Sequence, residues 1–538
     1  MIKSINISNK AVFESVQFET INNKINIDCN KLFSNKSNSF TLEITFLEKI
    51  VSFRNHDYTW VDINSDRIAT SLSPKIIKLH DGNFVQANCT TGVWEINNKK
   101  PHILLWKFNP EFSNSLTEYT GKRNLKKLVS ANSVLNFTEN LTLLFTKSNA
   151  LEISRSQIPF SAISCFTDHC DFDTVENLKL QRELFKELNI KITKGFFLNH
   201  FSKRVNNASF EKQKLEIESW KDDNHELCYH SLSQSIKSDE QSFTDFKNFI
   251  PPYNSIPVWI DHGFQPYNFS LYKNNKISNE EYEKHLIQKN ILTQWNYIDA
   301  GTATTGIINQ LNPNQFTLEK YWNGIHNFNL KTRIIKLIKN IIFHHDNNEK
   351  RVINYIVIVG NLRAIFKDKK ITKVFSLISN AIPLFWVICK VFLFWNSDKK
   401  KPYKVAKYSP ILFKHKINNQ EFNIFQTLEM VDFKKGIANN NVDLLIKESG
   451  VFIAHTYFSV DMNHYLGKLF KSENQLDEEV VSNFKYLSDK IKNKQIWNPT
   501  LSQLIQYLDT FEKTIFDIDT NGTIFIKNNS SIPSRKVT

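Results

Sequence analysis

The clearest short pattern in the chain is FTLEITF at 40–46. Apolar Phe40, Leu42, Ile44 and Phe46 alternate with polar Thr41, Glu43 and Thr45, the period of a half-buried strand. The same short-strand texture runs to about residue 150. Around 76–86 it is broken by His80-Asp81-Gly82-Asn83, a hairpin turn signal, and NNKK at 97–100 separates two further runs at 93–96 and 102–108. No segment here has a helical period, so 1–150 is expected to be a β-rich, sandwich-like domain. Trp60, Trp94 and Trp106 lie within it, as inter-sheet packing or as a sugar-stacking surface.

From about 155 the pattern changes to strands alternating with amphipathic helices. Strands are predicted at 163–167, 192–198, 225–230, 258–263 and 292–298, with helices at 175–188, 210–221, 240–249 and 279–289. After a long interruption the rhythm resumes with a strand at 450–455 and helices at 477–492 and 501–514. Parallel strands with helical crossovers imply an α/β fold, either a (β/α) barrel or an open sheet. The expected organisation is therefore 1–150 β domain, 155–304 first part of the barrel, 305–425 insertion, 426–515 second part, and 516–538 C-terminal strand and tail.

Polar residues collect where these strands end. SAISCFTDHCDFDT at 161–174 passes from a buried strand into Asp168, His169, Cys170, Asp171 and Asp173 before the next helix. The following strands end in Asn199-His200, His230-Ser231, Asp261-His262 and Asp299, and the late one ends in His455. A single Asp there is an ordinary helix N-cap and a single His an ordinary loop residue. Six successive strand ends carrying His or Asp on the same face of a parallel sheet instead predict a convergent site. Imidazoles with carboxylates bind a divalent cation or act as general acid and base. There is no Gly-rich phosphate loop and no G-x-S-x-G elbow, which leaves metal-assisted hydrolysis.

The motifs also resemble those of the polysaccharide deacetylases of the NodB-homology type. Phe166-Thr-Asp-His169 is similar to the family's first motif, an Asp pair after strand one, and NHELCYHSLSQ at 224–234 to its G-H-E-I-x-x-H-[ST]-x-x-H motif. Trp295-Asn-Tyr-Ile-Asp299 and Val451-Phe-Ile-Ala-His455 resemble the fourth and fifth motifs. Ile250-Pro-Pro-Tyr253 looks like the third, but it precedes the fourth strand. The resemblance implies a distorted (β/α) barrel, a divalent metal (zinc by preference), and removal of acetyl groups from an N-acetylated glycan, lipid-linked or free. It places Asp168 and His230 among the metal ligands. Gln234 stands where the family has a further ligating His, so His169 or His262 would complete the set. Asp171 or Asp168 would activate water, His455 would protonate the leaving amine with Asp299 orienting it, and Asp261 joins the catalytic cluster. The other reading is a catalytically silent barrel that keeps its mouth as a glycan cleft.

Composition adds less. The 538-residue chain carries a net charge of +14 and a pI near 9.2, which favours an anionic neighbour, although no nucleic-acid motif appears. The first residues contain no apolar core of signal-peptide length, and six scattered cysteines suit a reducing compartment. Cys170 or Cys228 near the metal is a further option. A cytoplasmic location, at the inner face of a membrane, is expected. That membrane contact rests on 305–425. Ile334, Ile335, Ile338, Ile341 and Ile342 share a helical face across 331–343, and VFSLISNAIPLFWVICKVFLFW at 374–395 lies between lysine clusters. This run is a buried helix of the insertion, an interfacial anchor or a span.

Overall fold

The computed structural model describes residues 1–538 except 10–12, 29–37, 121–124, 136, 138, 264, 266–276, 297–305, 431, 460–467 and 529–530. Strand Phe40–Phe46 buries its four apolar residues and leaves its polar ones half-buried, so its inward side needs a second apolar surface. A six-stranded and a seven-stranded sheet supply that surface to each other. Leu42, Ile44, Trp94 and Trp106 from one pack with Ile25, Phe53, Val85 and Phe145 from the other. The turn at 80–83 closes with Gly82 N–H donating to Leu79 O at 3.0 Å, and Gly82 takes φ +85°, which glycine tolerates best. Trp94 and Trp106 are fully buried edge to face at 5.9 Å. They are inter-sheet core and offer no sugar-stacking surface.

Two of the ties between the β-rich domain and the second domain are a hairpin and a strand pairing. The hairpin Ser115–Thr120 with Leu125–Ser130 packs Leu116 and Val129 into the core of the second domain. Ala150–Ile153 pairs with Ser534–Val537, bringing the C-terminus back. The buried Glu152 carboxylate secures that junction, accepting from Arg54 at 2.8 Å and Arg535 at 2.6 Å.

The second domain is built on a ten-stranded sheet. Its strands are β1 (Ala162–Asp168), β2 (Ile192–Phe196), β3 (Glu226–His230), β4 (Val258–Ile260), β5 (Thr293–Trp295), β6 (Leu412–Ile417), β7 (Gln420–Phe425), β8 (Leu428–Glu429), β9 (Val451–Thr456) and β10 (Ile496–Trp497). The order is β6-β7-β5-β4-β3-β2-β1-β9-β8, with β10 also on β1; every pairing is parallel except β6 with β7. Around it lie α1 (Val175–Leu188), α2 (Phe210–Asp222), α3 (Asp239–Asn248), α4 (Asn279–Gln288), α8 (Glu478–Lys492) and α9 (Leu501–Glu512). The insertion supplies α5 (Leu330–Asn340), α6 (Glu349–Phe366) and α7 (Val374–Leu393).

The sheet is strongly curled. β7 near one margin ends at Phe425, and β8 at the other begins at Leu428, so about 11 Å of chain at most separates the two sides. Among the described residues no ladder joins β7 to β8, and the ring of hydrogen bonds stays open. Ile163, Cys165, Cys228, Val258, Ile260, Trp295, Phe425, Val451 and Ile453 fill the curl with the buried face of α9, while Phe166, Ile192, Tyr229, Trp259 and Phe452 meet the outer helices.

The insertion departs from a buried arrangement. Only Leu384 and Val391 of α7 are buried. In α5, Leu337 is buried while Ile334 and Ile335 stay exposed.

Candidate metal centre at the strand ends

The two-residue period of a strand decides which strand-end residues meet. In β1, Ile163 and Cys165 point into the curl and Phe166 points to the helices, so His169 continues the inner face and Asp168 the outer. In β3, Cys228 is inside, and His230 with it. In β4, Ile260 and His262 are inside, whereas Trp259 and Asp261 face the helices. In β9, Val451 and Ile453 lead inward to His455.

Side-chain geometry agrees with this count. The rings form a chain of contacts: His455 on His169 at 3.8 Å, nearly parallel, His169 on His230 at 4.6 Å and His230 on His262 at 4.8 Å. Asp171 enters from the loop after β1. Its Oδ2 lies 2.9 Å from His230 Nε2 and its Oδ1 3.3 Å from His262 Nδ1. One donor atom from each of His169, Asp171 and His230 lies within 4.8 Å of the others, and all three residues are buried. Trp295 stands edge-on to His169 and His455 at 4.7 and 4.9 Å, its Nε1 held by Thr427 Oγ1 at 3.0 Å. Tyr457 covers His169 at 4.9 Å, and Phe197 lies 5.1 Å from His230.

These residues fit a divalent cation. Both ring nitrogens of His169 and Nδ1 of His230 are buried without a hydrogen-bond partner, an arrangement that costs free energy unless an electrophile occupies it. Burial, reinforced by His455, His230 and His262, drives His169 well below the ordinary imidazole range, and burial lowers His230 against the pull of Asp171. Burial opposes ionisation of Asp171, yet His262 and His230 hold its carboxyl at about 2. Neutral imidazoles beside a carboxylate are in the protonation state that ligation requires. His262 Nε2 donates to Gln234 O at 2.7 Å, which turns Nδ1 toward Asp171. A backbone carbonyl that fixes the tautomer in this way is typical of metal-ligating histidines. Two imidazoles and one carboxylate match the ligand count of a catalytic rather than a structural zinc site.

Several expected site residues lie elsewhere. Asp168 Oδ2 binds Lys194, and its Oδ1 accepts from Thr456 Oγ1 at 3.2 Å and Phe458 N–H at 3.4 Å. Its carboxylate is thus committed on the helix side and is not a ligand; burial raises its pKa against the pull of Lys194. Lys194 also reaches Asp173 at 2.6 Å and Gln181 Oε1 at 2.9 Å, with the Trp220 ring 5.1 Å away. Asp261 accepts from Trp259 Nε1 at 3.1 Å on that outer side, away from the catalytic role expected of it. Gln234 Oε1 takes Ser202 Oγ at 3.2 Å, and Tyr253 of the third-motif look-alike bonds Glu218. Asp299 falls outside the described residues. Burial pushes the Cys170 and Cys228 thiols well above their ordinary value, with acidic neighbours adding, so neither offers a ready thiolate.

Lys194 does not emerge from the strand-end pattern, although ITKGF carries the signal. A lysine between Ile192 and Phe196 on the apolar outer face needs a buried partner. Trp295 and Tyr457 have weaker signals, each only an aromatic residue beside a polar strand end.

No family model matches the chain. A eukaryotic translation initiation factor 2-alpha kinase, PK4, of Plasmodium berghei is 26% identical over 255 residues, which is 46% of this chain and 9% of the kinase. The chain therefore spans a small fraction of that relative. Among solved structures, a GH31 dextranase of Flavobacterium johnsoniae in complex with glucose aligns over 99% of this chain and 73% of its own, at 8% identity and a TM-score of 0.28. A mutant of the same dextranase with isomaltotriose gives a TM-score of 0.26. Likenesses at this level carry no argument about fold or activity.

Proposed function

We propose that the protein is a metal-dependent hydrolase of the deacetylase kind, acting on an N-acetylated glycan. One observation carries this reading: His169, Asp171 and His230 gather their donor atoms within 4.8 Å in a buried group at the C-terminal ends of parallel strands. These three residues would hold a divalent cation, zinc by preference, with His262 beside them. Such a cation supplies Lewis acidity toward an acyl carbonyl and toward water. His455, stacked on His169, is the imidazole left to carry a proton to a leaving amine. Buried Trp295 and Phe197 wall the histidines and exclude water, and half-buried Tyr457 is the ring that suits a sugar face. A distorted barrel of the polysaccharide deacetylase type is the fold that accompanies this reading.

The second reading is a silent glycan-binding protein. What favours it is Gln234, which occupies a ligand position of the resemblance and turns its side chain to Ser202. Metal analysis of the purified protein, paired with acetate release from N-acetylated oligosaccharides, separates the two. One tightly held cation per chain with acetate release supports the hydrolase. A chain that binds oligosaccharide but takes up no cation from zinc, cobalt or manganese overturns it.

A further inference from the structure

The insertion ends in an antiparallel hairpin of α6 and α7, joined by 367–373. Its base is anchored: Val391 and Trp395 pack on the core of the second domain, and Tyr403 Oη bonds Asn340 Oδ1 at 2.6 Å nearby. Polar side chains in the apolar run are satisfied within the hairpin. Asn361 Nδ2 donates to Ser376 Oγ at 3.0 Å and Asn380 Nδ2 to Ser376 O at 2.7 Å. The outer side of α7 and the turn before it is different. Ile371, Phe375, Ile378, Ile382, Trp386 and Leu393 are all exposed, Phe375 at 84% and Trp386 at 69%. At about 100° per residue these positions share roughly a third of the helix circumference, a continuous apolar stripe. Only 11% of the most apolar 18-residue window is buried.

Charge indicates what covers the stripe. Residues 374–389 carry no charged side chain, whereas the turn holds Lys367, Lys369, Lys370 and Lys373 against Asp368, and Lys399, Lys400 and Lys401 follow the far end. All four turn lysines are exposed. We propose that the outer face of α7 is an interfacial anchor lying in the plane of an anionic lipid leaflet, with its stripe in the acyl boundary and the flanking lysines among the phosphates. A spanning helix fits less well. The uncharged segment is about 24 Å long at 1.5 Å per residue, short of a hydrocarbon core of about 30 Å. Spanning would also carry the lysines of the turn across the bilayer. The inference rests on the insertion alone and is independent of the metal centre.

The test uses the full chain with phosphatidylglycerol-containing vesicles, phosphatidylcholine vesicles, and brominated lipid to quench Trp386. The protein should sediment with the anionic vesicles and poorly with neutral ones, high salt should release it, and Trp386→Phe should remove most of the quenching. Phe375→Asp with Trp386→Asp should lower partitioning at least about ten-fold. Thermal unfolding should not change, because both side chains are exposed. Absence of binding to anionic vesicles, or binding unchanged in the double variant, overturns the proposal. A dimer in light scattering that the double variant converts to monomer, without lipid binding by the parent, assigns the stripe to a second copy and also overturns it.

Discussion

Asp168 and His169 are neighbours in the chain and lie on opposite faces of the sheet. The Asp168 carboxylate is bonded to Lys194 among the helices, while the His169 ring stacks on His455 at 3.8 Å inside the curl. One peptide unit thus separates a buried ion pair from the candidate metal centre. Removing one partner of such a pair costs about 3–5 kcal/mol, because the other charge stays buried. Asp168→Asn should therefore lower the free energy of unfolding by about 3 kcal/mol, the amide keeping part of the hydrogen bonding. Metal content per folded molecule should stay unchanged. His169→Ala should do the reverse. Urea unfolding with metal analysis on the same preparations checks both, and loss of metal from folded Asp168→Asn would return Asp168 to the ligand set.

The ligands themselves should not be equivalent. His169, Asp171 and His230 form the compact group, whereas His262 sits beside it, with one nitrogen facing Asp171 and the other on Gln234 O. Calorimetric titration with zinc should show no specific site in His169→Ala or His230→Ala. His262→Ala should keep one site at about 10–100-fold lower affinity, the usual cost of losing a supporting partner. An unchanged affinity in His262→Ala would place that ring outside the centre.

Periodicity decides how much of this was legible in the sequence. FTLEITF and the strand-helix rhythm after 155 depend on local burial, so the elements could be read off. That His169, His230, His262 and His455 meet was readable from strand ends alone. Asp168 and Asp261 lie outside the cluster because adjacent residues at a strand end point to opposite faces, and Phe166 and Trp259 mark theirs as the helix side. The cover of Trp295 and Tyr457 comes from tertiary packing that no local period encodes. α7 was ambiguous because an apolar run has the same composition in a core as on a surface; burial alone separates the two.

Gly195 should be intolerant of any side chain. A Cβ there would lie 2.4 Å from the Asp168 carbonyl oxygen and 3.4 Å from His230 Cβ. The close atom is backbone, held in the β1–β2 ladder, so the strands must part instead. Gly195→Ala should destabilise the fold by about 1–3 kcal/mol or more, in the range for overpacking. It should also weaken metal binding, because β1 and β3 carry two of the ligands. Calorimetric melting with zinc titration tests both effects, and a melting temperature equal to the parent's would show that the strands separate freely.

Acid should destabilise the protein through two histidines outside the centre. His225 Nδ1 accepts the Ile192 N–H at 3.2 Å, and burial holds its pKa at about 4 against the pull of Asp223. Burial likewise holds His56 at about 4 against Asp57, while its carbonyl accepts from Arg155. Both folded values lie below the unfolded 6.5. As the pH falls, the unfolded chain takes up these protons first, so the stability they contribute is intact above 6.5 and is lost between 6.5 and 4. At 1.36 kcal/mol per pKa unit, each contributes roughly 3 kcal/mol over that window. His169 and His230, both lowered by burial, titrate in the same sense, so the informative quantity is a difference between variants. His225→Asn keeps an acceptor for Ile192 and removes the titration. Its unfolding free energy, measured from pH 4 to 8 with a chelator present, should fall with about one proton less slope than the parent's. Parallel curves would mean that His225 titrates at the same pH folded and unfolded and contributes nothing to the pH dependence.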